Sequence, residues 1–141
     1  MKRAFVTRPG ASGAAHAYPR PQLARAGWAS LNGPWEFSLD PEGRWQIPDE
    51  VAWRSTIEVP FSPETPASGI GDTGFYRRVW YRRRFGSPKL RDGERLLLHF
   101  GAVDWAATVW INGAPAAYHE GGYTPFTIDA TPFLRRGGEQ T

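Results

Sequence analysis

Apolar and polar residues alternate along this chain in short runs with a period of two. Trp35, Phe37 and Leu39 take one face and Glu36 and Ser38 the other, just after a turn at Asn32-Gly33-Pro34; that is the pattern of a half-buried strand. Residues 56–59 predict a short strand closed by Pro60, and residues 61–74 a long Pro/Ser/Gly loop. Three stronger strands follow. Residues 76–85 place Val79, Tyr81 and Phe85 on one face, residues 94–100 place Leu96, Leu98 and Phe100, and residues 104–111 place Trp105, Ala107, Val109 and Ile111.

The dipeptides between these runs have the chemistry of tight turns. Asp92-Gly93 joins the first two strong strands, and Asn112-Gly113 opens a hairpin whose returning arm is 114–119, because Asn or Asp before Gly accepts positive φ. Gly121-Gly122 is a break, 126–129 a short strand, 131–134 a helical turn or irregular link, and 134–141 a turn leading into a strand. No convincing 3.6-residue period occurs. The expected fold is therefore all-β, a two-sheet antiparallel β-sandwich. Residues 1–18, rich in Ala, Gly, Ser and Pro, are expected to form an extended or mobile arm, and 19–141 the sandwich. A strand entered so close to Thr141 leads us to expect a sandwich truncated at its C-terminus, lacking its last strand or strands: a fragment.

Composition narrows the chemistry. The 141 residues are 40% hydrophobic and include seven Trp, eight Phe and five Tyr, enough for one domain with a core. There is no Cys and the three His are scattered, so neither a metal nor a cofactor is expected. No apolar run approaches the roughly 20 residues of a membrane span, and Arg8-Pro9 interrupts the apolar start, pointing to a cytoplasmic protein without a membrane partner. The net charge is +3 and the pI about 9.6. Arg77, Arg78, Arg82, Arg83 and Arg84 are interleaved with aromatics, as in a nucleic-acid-binding strand, but a solvated strand face whose Arg stems cover apolar surface is favoured. No nucleic-acid partner is expected.

Several segments, in order, resemble the N-terminal sugar-binding domain of glycoside hydrolase family 2, the group of β-galactosidases, β-glucuronidases and β-mannosidases. They are Trp28-Ala29-Ser30-Leu31-Asn32-Gly33-Pro34-Trp35-Glu36-Phe37, Ile57-Glu58-Val59-Pro60-Phe61, Val79-Trp80-Tyr81-Arg82-Arg83-Arg84-Phe85, Leu97-Leu98-His99-Phe100-Gly101-Ala102-Val103-Asp104, Val109-Trp110-Ile111-Asn112-Gly113 and His119-Glu120-Gly121-Gly122-Tyr123-Thr124-Pro125-Phe126-Thr127-Ile128-Asp129. The resemblance implies a galactose-binding-domain-like jelly roll preceding an immunoglobulin-like domain and a TIM barrel. It also implies that the catalytic glutamates lie in the barrel, so that this domain reaches carbohydrate substrate through the barrel and contacts the other two domains.

The residues agree. A retaining glycosidase needs two carboxyls about 5 Å apart, one of them with a raised pKa, and no acidic pair makes that case; Glu64 and Asp72 merely share a loop, and His119-Glu120 are adjacent in a strand. No catalytic residue is expected, and no turnover by this chain alone. The 69–74 segment spells Gly-x-Gly-x-x-Gly but leads into a strand instead of a helix. The resemblance suggests that the segment 71–76 lends a loop to the barrel's rim, with Asp72 accepting bonds from sugar hydroxyls and Tyr76 stacking on a ring; the family's Asn is missing there, and Asp beside Gly is also ordinary turn chemistry. Asp72 and Tyr76 are the substrate-binding candidates. Trp105 and Trp110 suit a sugar or an interface, with interface favoured; His99 suits a hydrogen-bonded structural role, and Asp129 a cap for the next turn. The alternatives to an accessory glycosidase domain are a self-standing carbohydrate-binding module and, behind it, a basic nucleic-acid-binding sandwich.

Overall fold

The computed structural model describes residues 27–141, so the expected arm at 1–18 lies outside the described residues. The chain divides into two units, the first ending at Arg83 and the second running from Arg84 to Thr141. Each is antiparallel β, as the alternation requires.

In the first unit β1 (Gly33–Asp40) lies between β2 (Ser55–Val59) and β3 (Arg78–Arg82), with Trp35 opposite Ile57, Phe37 opposite Tyr81 and Ser38 opposite Trp80. Phe37 and Ile57 on one face have no exposure, and the Tyr81 ring meets Phe37 edge-on at 5.0 Å. The opposite face is not the solvated one that alternation predicts. Ser38 and Asp40 are 2% and 3% exposed, and both are fully occupied. Ser38 Oγ donates to the Ala52 carbonyl at 2.6 Å and accepts the Arg54 N–H at 3.1 Å. Asp40 accepts the backbone N–H groups of Arg44 and Trp45 at 2.9 and 3.1 Å and the Trp80 indole N–H at 3.4 Å. Polar side chains enter a core when every bond is supplied locally. For the same reason the buried face of β3 belongs to Trp80, while Tyr81, expected inside, is half-exposed.

The strand expected over 76–85 is interrupted. β3 stops at Arg82, and β4 (Phe85–Gly86) belongs to the second unit, where it pairs with β9 (Glu139–Gln140). β5 (Leu97–Phe100) pairs with β8 (Phe126–Asp129), and β6 (Ala106–Ile111) with β7 (Ala114–Glu120). Asp92-Gly93 therefore makes a turn, closed by Glu94 N–H to the Arg91 carbonyl, but not a hairpin, because its flanking strands bond elsewhere. Asn112-Gly113 is the tight hairpin turn expected, with φ of 54° and 85°. Ile111, Ile128 and Ala130 form this unit's core, with Leu96, Leu98, Phe100, Val109, Phe126 and Phe133 packed against it. Trp105, expected on the core face of its strand, precedes β6 and is 66% exposed.

Local polar bonds complete the unit. His99 Nδ1 meets Thr127 Oγ1 at 2.8 Å across β5 and β8. Asp129 Oδ1 accepts the Thr131 N–H at 3.0 Å where the chain enters the short turn Thr131–Phe133, whose N-cap position is Ala130. Asn112 Nδ2 donates to the buried Gln140 Oε1 at 2.7 Å, and Asn112 Oδ1 accepts the Thr141 N–H at 3.0 Å.

Candidate functional site

The loop that follows β2 is irregular in secondary structure but heavily cross-bonded. The Phe61 and Thr65 N–H groups bond the Glu58 and Ser62 carbonyls, each at 3.0 Å, and a single tight turn, Pro66–Ser68, ends at Gly69 with φ of 81°. Ser68 is the pin. It is 1% exposed, and its hydroxyl donates to the Thr65 carbonyl at 2.7 Å while accepting the Ile70 N–H at 3.0 Å. The Asp72 N–H then returns to the Pro63 carbonyl at 3.0 Å, closing the loop at its neck. Proline fixes φ and buried hydroxyls replace missing ladder bonds, so the loop is shaped without strands.

Asp72 and Tyr76, the two candidates, both lie at this neck and are half-buried. Asp72 Oδ1 accepts the Gly74 N–H at 2.7 Å; a Cβ at position 74 would stand 2.9 Å from that oxygen, so glycine there permits the turn. The Tyr76 hydroxyl donates to Glu64 Oε1 at 2.8 Å. Glu64, in the same loop but with no assigned role from sequence, is thus the residue that orients Tyr76. Phe75 between them is 92% exposed.

Electrostatics follow from this geometry. Burial first, then the bond to Glu64 and the charges of Glu64 and Asp72, push the Tyr76 phenol up to about 12. Burial, then the charge of Glu64, pushes Tyr81 up to about 12 as well. Glu64 is held below the ordinary carboxylate range by its own backbone N–H, then by the Tyr76 hydroxyl and Ser62. The loop therefore presents an ionised Glu64 and a neutral Tyr76. It can accept hydrogen bonds from a polyol. A general acid needs a raised carboxyl, whereas the three displaced carboxyls among the described residues, Asp40, Glu64 and Asp129, are all lowered.

The arginine run is largely occupied within its own chain. Arg82 forks onto Glu36 with two bonds of 2.6 Å and lies 4.3 Å above the Trp53 ring. Arg78 donates to the Trp45 carbonyl and Gln46 Oε1, Arg83 to the Pro34 carbonyl, and Arg84 lies 3.9 Å from Glu139. A cleft of about 180 Å³ is lined by Leu39, Asp40, Pro41, Glu42, Arg44, Trp45 and Arg54, but Asp40 there is spent on the bonds described above. Among the described residues no His/Asp/Glu group is arranged to hold a metal, and no helix is long and apolar enough to cross a membrane.

Comparison with known proteins places these antiparallel units in the class of carbohydrate-active β-domains. Residues 73–141 match the family model "Glycosyl hydrolases family 2, sugar binding domain". A β-glucuronidase of Paenibacillus borealis is 32% identical over 131 residues, covering 86% of this chain and 21% of that protein. A β-galactosidase of Thermoanaerobacter pseudethanolicus is 40% identical over 108 residues, covering 76% of this chain and 13% of that protein. The solved structure of Bifidobacterium dentium β-glucuronidase with coumarin-3-O-glucuronide superposes with a TM-score of 0.68 at 31% identity, covering 78% of this chain and 18% of that one. The chain belongs to glycosyl hydrolase family 2, as its sugar-binding domain. It spans about a fifth of the length of the β-glucuronidases it matches.

Proposed function

We propose that this chain is the non-catalytic N-terminal domain of a longer family 2 glycoside hydrolase acting on β-linked sugars, and that it braces the catalytic barrel and shapes one side of its cleft. The observation that carries this reading is coverage: most of the chain matches proteins named as β-glucuronidases and β-galactosidases, yet it accounts for about a fifth or less of their length. The lowered carboxyls support it, since none offers the proton a glycosidic oxygen needs. In this reading the described strands belong to the family's sugar-binding domain, and the protein is cytoplasmic, which the absence of cysteine favours.

Asp72 and Tyr76 are the proposed points of contact with substrate. The cross-bonded loop makes them suitable: Asp72 keeps a second carboxylate oxygen beyond the one spent on Gly74, and Glu64 holds the Tyr76 hydroxyl so that its ring is oriented. The test is a polypeptide extended through the downstream coding sequence, assayed on nitrophenyl β-glucuronide and β-galactoside. Turnover by the extended protein, with KM raised in Asp72→Ala and Tyr76→Ala while the barrel's chemistry persists, supports the reading. An extended protein inactive on every β-glycoside would overturn it.

A further inference from the structure

Asparagine followed by glycine is chemically labile, and this chain's two asparagines, Asn32 and Asn112, both stand in that pair. Glycine leaves its own backbone nitrogen open to approach, so that nitrogen can attack the carboxamide carbon of the asparagine before it. The fold sets the two sites differently. Asn32 is exposed immediately ahead of β1, whereas Asn112 is half-buried in the β6–β7 turn.

The Asn112 carboxamide is tied down from both ends. Nδ2 donates to the Phe133 carbonyl at 2.8 Å and to Gln140 Oε1 at 2.7 Å, while Oδ1 accepts the Thr141 N–H at 3.0 Å. The Asn112 N–H reaches the Thr141 carbonyl at 2.8 Å, and the pairing of Ile111 with Ala114 closes the turn. Gln140 is itself held in one orientation. It has no exposure, its Oε1 also accepts the Arg135 N–H at 2.9 Å, and its Nε2 donates to the Arg135 and Gly137 carbonyls at 3.3 and 3.4 Å. Cyclisation needs the carboxamide to swing onto the Gly113 nitrogen, and it can do so only after its bonds to Phe133, Gln140 and Thr141 have broken.

We propose that Asn112 is a deamidation site gated by folding: the folded second unit holds it as an amide, and each opening of that unit exposes it to a reaction whose product no longer fits. In the opened chain a base, hydroxide or buffer, takes the proton from the Gly113 nitrogen. That nitrogen bonds to Cγ, the Cγ–Nδ2 bond breaks, and Nδ2 leaves as ammonia. Water then opens the cyclic imide at either carbonyl, leaving aspartate or isoaspartate. The carboxylate of aspartate accepts but does not donate, so the oxygen in place of Nδ2 faces two acceptors, the Phe133 carbonyl and Gln140 Oε1. Gln140 cannot offer its amide instead without giving up its bonds to Arg135. Isoaspartate adds a main-chain carbon to a two-residue turn, whose length sets the β6–β7 register. The second unit thus records its own unfolding covalently.

The test follows both asparagines of the 141-residue chain by peptide mass mapping in mildly alkaline buffer, with and without concentrated guanidinium. Unfolded, the two should convert at similar rates. Folded, Asn112 should convert at least about tenfold more slowly than it does unfolded, because only the opened fraction reacts. Gln140→Ala removes one acceptor of the carboxamide and should speed conversion at Asn112 severalfold in the folded protein without changing Asn32; the guanidinium comparison on the unaltered chain stands if that variant does not fold. Asn112→Asp, carrying the product from the start, should leave the Thr141 amide unprotected from hydrogen exchange and lower the yield of refolding from urea. Equal rates at Asn112 in the folded and unfolded chain, slow conversion there in guanidinium, an unchanged rate in folded Gln140→Ala, or an Asn112→Asp chain that refolds as fully as the unaltered one with Thr141 protected would each overturn the proposal.

Discussion

The Tyr76 hydroxyl donates to Glu64 Oε1 at 2.8 Å across a loop that contains no strand. That bond ties the two ends of the proline-rich segment together and adds to the protonation preference of both groups. Tyr76 stays neutral first because burial disfavours a phenolate and then because ionisation would set that phenolate beside a carboxylate, and Glu64 is held ionised by its own backbone N–H and then by the hydrogen bond from the Tyr76 hydroxyl.

The first prediction concerns this pair. With its folded pKa at about 12 against an ordinary 10.0, Tyr76 binds more proton in the folded state between those values. Its contribution to stability is therefore complete below pH 10 and is lost as pH rises towards 12, a direction Tyr81 shares. Ultraviolet phenolate titration of Glu64→Gln should move the Tyr76 transition back towards its ordinary value. A transition unmoved by that substitution would mean burial alone sets it.

Asp40 supplies the opposite sign. Burial would raise its pKa, but the N–H groups of Arg44 and Trp45 and the Trp80 indole outweigh it and hold the carboxyl below its usual 3.8. Its stabilisation is present above that value and is lost as pH falls through the lower folded one. Asp40→Ala, leaving those part-buried donors without their acceptor, should cost about 2 kcal/mol at neutral pH, with the penalty shrinking in acid. Urea midpoints of both proteins as a function of pH check this.

Ser68→Ala should leave the loop's backbone in place but remove two bonds made by one buried hydroxyl. The expected loss is about 1–2 kcal/mol. Denaturant unfolding measures it, and faster hydrogen exchange at the Ile70 amide shows that the loss is local.

Asn112→Ala combines two penalties, an L-residue other than Asn at φ of 54° and loss of the bonds to Gln140, Phe133 and Thr141. A cost of roughly 2–3 kcal/mol is expected from the three lost bonds together with the strained turn. The Thr141 amide should lose its exchange protection ahead of the β5–β8 amides.

Much of this architecture is legible from alternation and turn chemistry. Phe37, Ile111 and the Asn112-Gly113 hairpin appear where a period of two and a positive-φ dipeptide put them. Ser38 and Asp40 do not, because alternation reads polarity and cannot see that the Ala52 carbonyl and the Arg44 and Trp45 amides will satisfy them inside. Trp105 is misplaced for a related reason: its size counts as core in a pattern, but β6 starts one residue later. At the loop, Asp72 is found with the turn bond that Asp before Thr-Gly suggests. Glu64 is missed because its partner lies twelve residues away. Its one sequence signal is a lone carboxylate after proline in the same loop as a tyrosine.

The most direct test of the central claim uses the 141-residue chain itself with nitrophenyl β-glucuronide and β-galactoside. The account predicts no release of nitrophenol above the buffer blank, since the chain spans only about a fifth of the length of the β-glucuronidases it matches. Reproducible release that disappears in Glu64→Gln or Asp72→Asn would contradict it.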